Sequence, residues 1–245
     1  MSVGSFRTLQ PSERLAKHFR NGWIYNAPST EVAVLPDGLV HLRWHDGNLT
    51  VAGPSEHARN ESLGGGGIAV GFTFRPGAAS RWLAVPLSHI SGQRISLDEL
   101  WGRDGRSLAG YVNDAHDGVD AARRLAEGLA RRETDLRPSR TDVDAMSALL
   151  QQQSGGDELA VRLSLLGLSA RTLHRYCTEA FGYGPKTLER ILRFQRFVNL
   201  ARHAGRPALA QCAAEAGYAD QAHLSREARR ISGLSARAIV RQLGH

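Results

Sequence analysis

At 245 residues, with 42% hydrophobic and 22% charged residues, the chain has the balance of an ordinary globular protein and the length for two modest domains. It holds no run of about 18 apolar residues, and the opening MSVGSFRTLQPSER lacks the apolar stretch of a signal peptide, so a cytoplasmic protein without membrane spans is expected. The formal net charge of +7 is unevenly placed: residues 1–153 hold 17 Lys+Arg and 17 Asp+Glu, residues 154–245 hold 14 and 7. An excess confined to the last third is the footprint of a surface that meets a polyanion, although charge alone fits a merely basic domain equally well.

The first hundred residues read as short strands and turns. PDG (36–38) and HDG (45–47) are turn signals on either side of the strand VHLRW, and a strand-like LTVA follows. IAVGFTF (68–74) reads as a buried strand ended by Arg75-Pro76-Gly77, and AASRWLAV as a short helix stopped by Pro86. All four tryptophans (Trp23, Trp44, Trp82 and Trp101) fall here, as they would in a compact core or around a ligand cavity. From about residue 105 the pattern turns helical, with Val119, Ala122, Leu125, Ala126 and Leu129 as one apolar stripe. A further helix is expected over 141–152, and QQQSGG (151–156) reads as a flexible joint at the point where the charge balance changes.

The C-terminal third contains a repeat. GLSARTLHR (167–175) and GYADQAHLSR (217–226) both run glycine, apolar residue, capping residue, then Leu-x-Arg, with one extra residue in the second copy. Each follows an alanine- and leucine-rich helical segment, DELAVRLSLL (157–166) and ALAQCAAEA (208–216). The pattern is helix, tight turn, helix: Gly167 and Gly217 supply the positive φ of the turn, and Ser169 and Asp220 can cap the next helix. Between the units Pro185 is placed to open a long helix to about His203, with Ile191, Phe194, Phe197, Val198 and Ala201 on its packing face. Cys177 and Cys212 lack ligand-like spacing and read as core residues.

At these residues the segment from about 155 to 243 resembles the AraC/XylS-family DNA-binding domain. The resemblance is strongest in GYADQAHLSREARRISG (217–233) and LSARTLHRYCTEAFGYGPKTLERILRFQRF (168–197). It implies two helix-turn-helix units, and the long helix between them, spanning roughly 28 Å, would let both enter two successive major grooves of double-stranded DNA. Arg171, His174 and Arg175 would approach DNA from the first unit, and Gln221, Ala222, Ser225 and Arg226 from the second; Arg229 shares the exposed face of that second helix. Leu224 and Ala228 stand where the family commonly has phenylalanine, and Ala236 where it commonly has proline, which leaves base preference open. PDGLVHLRW, VAGPS, FRPGAA and ISLDELWG also resemble a subgroup of such regulators, and imply a sensor or dimerisation domain built as a small cupin-like β-barrel with helices.

The expectation is therefore an α+β chain: a β-rich sensor domain over 1–104, a helical connector over 105–153, and an all-α double helix-turn-helix domain over 154–245. Its function would be that of a sequence-specific bacterial transcription regulator, activator or repressor, and not an enzyme. The partners implied are DNA, a small-molecule effector, a second copy of the chain and, for an activator, RNA polymerase. No catalytic residue, metal or cofactor is assigned. His41 and His45 share a strand face near His57 and Glu61, but nothing matches the HxH pairing of metal cupins, and Glu56, Glu61, Asp98 and Glu99 read as dispersed surface carboxylates. Gly64–Gly67 lacks a following Gly-Lys-Ser/Thr and reads as a loop. Two other functions stay open: a cupin-like enzyme or metal-binding domain carrying a DNA-binding tail, and a DNA-binding protein with no ligand.

Overall fold

The computed structural model describes residues 5–27, 31–62, 67–134, 136, 148, 166–203 and 208–243. The helix expected over 141–152 apart from Ala148, nearly all of 157–166, the QQQSGG joint and Gly64–Gly66 lie outside the described residues.

The N-terminal half is an antiparallel sheet with helices on one face. Its strands are β1 (Ser5–Leu9), β2 (Phe19–Ala27), β4 (His41–His45), β5 (Asn48–Ala52), β7 (Gly67–Phe74) and β8 (Arg94–Ser96), in the order β1-β2-β7-β4-β5-β8. Two further strands, β3 (Glu31–Val34) and β6 (Arg59–Ser62), pair antiparallel as a separate ribbon. The HDG signal closes the β4–β5 hairpin: Asp46 and Gly47, with φ of 45° and 76°, form the two-residue loop between the paired His45 and Asn48. Positive φ at both loop residues matches the twist of the strands.

Period-2 alternation gives the sheet two different faces. Leu42, Val70, Phe72 and Phe74 point one way and are buried against α1 (Ala79–Leu83), α2 (Leu97–Trp101), α3 (Arg103–Asn113) and α4 (Gly118–Glu133). Phe19, Phe74 and Trp82 pack edge-on or tilted at the centre of this core, with ring centroids 4.5–6.0 Å apart. The opposite face carries Trp23, Tyr25, His41 and Arg43. α4 is rotated slightly from the expected stripe: Ala121, Ala122, Leu125 and Leu129 are buried, while Val119 is 56% exposed. Gly118 sets this register, because a Cβ there would lie 2.7 Å from the Ile68 side chain. With Gly118 against the sheet, Val119 is turned about 100° away.

The C-terminal region is helical, comprising α5 (Ala170–Phe181), α6 (Pro185–His203), α7 (Leu209–Ala216), α8 (Gln221–Ser232) and α9 (Ala236–Leu243). α5 and α8 are both 12 residues long. Ser169 caps α5 by accepting from Thr172 N–H (3.2 Å), and Asp220 caps α8 by accepting from His223 N–H (2.6 Å). Gly167 and Gly217 adopt φ of 65° and 87° in the preceding turns. The residue added in the second unit falls between Gly217 and Asp220, so α5 and α8 correspond position for position. α6 packs both units. Its N-terminal half gives Leu188 and Ile191 to a core with Tyr176, Cys177 and Ala180 of α5. Its C-terminal half gives Phe194, Phe197, Val198 and Ala201 to a core with Cys212, Leu224, Ala228 and Ile231. Phe197→Ala should therefore destabilise the chain by about 3–5 kcal/mol in urea unfolding, whereas Val119→Ala should change it by less than about 0.5 kcal/mol.

Candidate nucleic-acid interface and ligand cavity

With their apolar faces turned to α6, α5 and α8 expose the opposite faces. Arg171, His174 and Arg175 are exposed on α5, and Gln221, Ala222, Arg226 and Arg229 on α8, with Ser225 half-buried among them. Counted from their caps, Arg175 and Arg226 occupy the same position, and so do Arg171 and Ala222, and His174 and Ser225. Arg175 lies over the Tyr176 ring, 5.1 Å from its centroid. The His174 ring is drawn against the turn before α6, where a Cβ on Gly184 would lie 2.7 Å from Nε2. Arg171, Arg226 and Arg229 make no ion pair with another described residue. The contrast is with α4, where Arg123 bridges Asp120 and Glu127, and Arg124 holds Asp120 at 3.0 Å. Arginines left unneutralised beside small and amide side chains suit phosphates and base edges.

The rear of this module rests on the N-terminal half. Gly182, at the end of α5, packs against Pro54 closely enough that a Cβ would meet it at 2.4 Å. Arg190 of α6 pairs with Glu56 at 2.6 Å, and Gln195 donates to the Pro36 carbonyl. Leu35 packs into the core of the second unit. The Ala58 N–H donates to the Ile231 carbonyl (2.8 Å), and His57 Nδ1 lies 3.1 Å from the Arg230 carbonyl. Both carbonyls belong to the last turn of α8, which has no intrahelical donors of its own. The exposed faces of α5 and α8 are left clear of these contacts.

Between the ribbon and the uncovered face of the sheet lies a cavity of about 320 Å³, within the size range of small-molecule sites. Phe6, Trp23 and Tyr25 form an aromatic wall, and Arg43, Arg59, Arg94 and His41 supply polar groups. Gly71 makes room for the wall: it pairs with Trp23 on one side and Arg43 on the other, and a Cβ there would come within 2.4 Å of the indole. His41 Nδ1 lies 3.1 Å from Thr73 Oγ1, and Nε2 lies 3.0 Å from Asp37. Both ring nitrogens are therefore engaged, and His41 is a wall group. Among the described residues no three His, Cys, Asp or Glu side chains cluster as metal ligands. Local sequence pattern singles out the tryptophans and His41 but not Arg43, Arg59 or Arg94. Alternation along HLRWH could have set Arg43 beside His41, whereas Arg59 and Arg94 arrive through pairings that no local pattern encodes.

Burial works against ionisation of Asp37, but His41 and the Leu39 N–H, which donates to its carboxylate at 3.0 Å, outweigh it and hold the carboxyl below its ordinary range. A carboxyl whose folded pKa is depressed adds stability above its unfolded pKa and loses it as pH falls through the folded value. Asp37→Asn should thus lower stability at pH 7 by less than about 1 kcal/mol, the carboxylate being partly hydrated. The difference from wild type should shrink steadily below about pH 4, as thermal unfolding across a pH series would record.

Residues 164–242 match the family described as helix-turn-helix domain, and residues 7–96 match a family described as a domain of unknown function. No curated protein sequence matches the chain. Among solved structures it is similar to apo ToxT of Vibrio cholerae, a substituted variant from strain SCE256. That similarity has 12% identity and a TM-score of 0.47, over 98% of this chain and 97% of that one. It is also similar to wild-type ToxT bound to an unsaturated fatty acid, with 12% identity and a TM-score of 0.45, over 98% and 95%.

Proposed function

We propose, for a chain whose residues 164–242 are a helix-turn-helix domain of the AraC type, that the protein is a sequence-specific transcription regulator. In this reading α5 and α8 enter successive major grooves of double-stranded DNA. The observation that carries it is the pair of equal helices fixed to one spine, with Arg175 and Arg226 at the same position in each. The spine has the right scale. Its 19 residues span roughly 28 Å, near the ~34 Å repeat of B-DNA. Arg171, His174, Arg175, Gln221, Ala222, Ser225, Arg226 and Arg229 would form the reading face, with the arginines on phosphates or guanine edges and the small residues permitting close approach.

We divide the chain into a sensor domain over 1–104, a connector over 105–153 and the DNA-binding domain over 154–245. The cavity beside Trp23 would hold a small-molecule effector, and a homodimer or contact with RNA polymerase would relay its effect to transcription. We read the chain as a binding protein and not an enzyme, because the two features it builds are recognition surfaces. No described helix is long and apolar enough to cross a membrane, and we place the protein in the cytoplasm, with the chromosome.

Binding of the full chain to DNA selected from a random pool should weaken steeply and log-linearly as salt rises. Arg226→Ala should cost about 1–3 kcal/mol and relax preference at particular base pairs. Unchanged affinity and unchanged base preference in that variant would count against the role given to α8.

A further inference from the structure

The ribbon joins the cavity to the second recognition helix with no intervening residue. Val34 and Arg59 are a register pair of β3 and β6, and both line the cavity. One residue beyond Val34, Leu35 packs in the core of α8. One residue before Arg59, the Ala58 N–H holds the Ile231 carbonyl at the end of α8, and His57 lies beside the Arg230 carbonyl. Arg59 also fixes the segment that carries these contacts. Its guanidinium donates to the Gly53 carbonyl at 3.2 Å and the Gln93 carbonyl at 3.4 Å, closing the 53–59 segment on itself.

The cavity wall has a definite charge. Arg43, Arg59 and Arg94 line it together with an aromatic face, and among the described residues no carboxylate does. A guanidinium held by neutral carbonyls exchanges them readily for an anionic oxygen, since charge-assisted bonds are roughly twice as strong as neutral ones. The neighbouring interface is not fully satisfied. The Tyr183 hydroxyl, in the turn between α5 and α6, is buried without a hydrogen-bond partner among the described residues, and it lies within the electrostatic reach of Asp37, Glu56 and Arg59. A buried donor without an acceptor favours any rearrangement that brings one to it.

We propose that the cavity takes a flat apolar molecule bearing one anionic group, and that this anion draws Arg59 away from Gly53 and Gln93. The 53–58 segment then loosens its hold on the last turn of α8. The ligand class follows from the wall, and the response follows from the one-residue spacing between cavity and helix. The proposal rests on the reading of the cavity as an effector site.

The test uses the full chain with 4-butylbenzoate and its neutral counterpart 4-butylbenzamide. Calorimetry should show the acid binding at least about tenfold more tightly than the amide. Saturating acid should speed hydrogen exchange of the Ala58 amide by about tenfold or more. Arg59→Lys keeps the charge but not the two-carbonyl fork; its Ala58 amide should exchange fast without ligand and gain nothing from it. No binding, or equal binding of acid and amide, overturns the ligand class. Tighter binding of the acid with unchanged Ala58 protection in wild type, or a ligand response retained in Arg59→Lys, overturns the coupling. DNA binding by the same preparation is scored separately. Its loss with the exchange response intact would sink the regulator reading and leave the coupling standing.

Discussion

Everything in the C-terminal region depends on the burial of one helix from two sides. α6 gives its first half to the core of α5 and its second half to the core of α8, and Ile191, Phe194, Phe197, Val198 and Ala201 are fully buried in doing so. Neither recognition helix could hold its angle alone, because each buries little more than one narrow apolar face. Close packing against a shared rigid helix fixes their separation and their relative rotation, which two-groove recognition requires. The two free cysteines belong to these cores. Burial pushes the Cys177 thiol up to about 12 and raises that of Cys212, so both remain unreactive packing groups.

The N-terminal half adds a second constraint from behind. Segments 35–38 and 53–58 touch the end of α5, the middle of α6 and the end of α8, and their contacts with the described residues leave the faces assigned to DNA clear. Helix ends are economical places to grip, because last-turn carbonyls need donors in any case. A backbone N–H and an imidazole supplied from the other half of the chain satisfy that need and tie the orientation of α8 to the ribbon. The ribbon in turn lines the cavity.

Much of this was legible in the sequence because it is local. Gly167 with Ser169, and Gly217 with Asp220, announce tight turns and caps through their own backbone chemistry, and the turns, the caps and the helices α5 and α8 fold as those signals say. The bounds of α6 follow from Pro185 and the apolar spacing. HDG at 45–47 specifies its hairpin in the same way. What escaped is non-local. Val119 looks apolar and in phase, yet the close seat of Gly118 on Ile68 turns it to solvent. The cavity is assembled from eight strands, and Arg59 and Arg94 reach it only through the pairing of β6 with β3 and of β8 with β5. The grip of residues 57 and 58 on α8 spans over 170 positions, and a single sequence carries no trace of it.

Two helices held by one spine are proposed to read DNA together. Methylation interference on the selected site, with the full chain bound, tests it most directly. Two patches of major-groove guanine contacts are expected on one face of the duplex, about one helical turn apart. A single patch, or two patches on opposite faces, would contradict it.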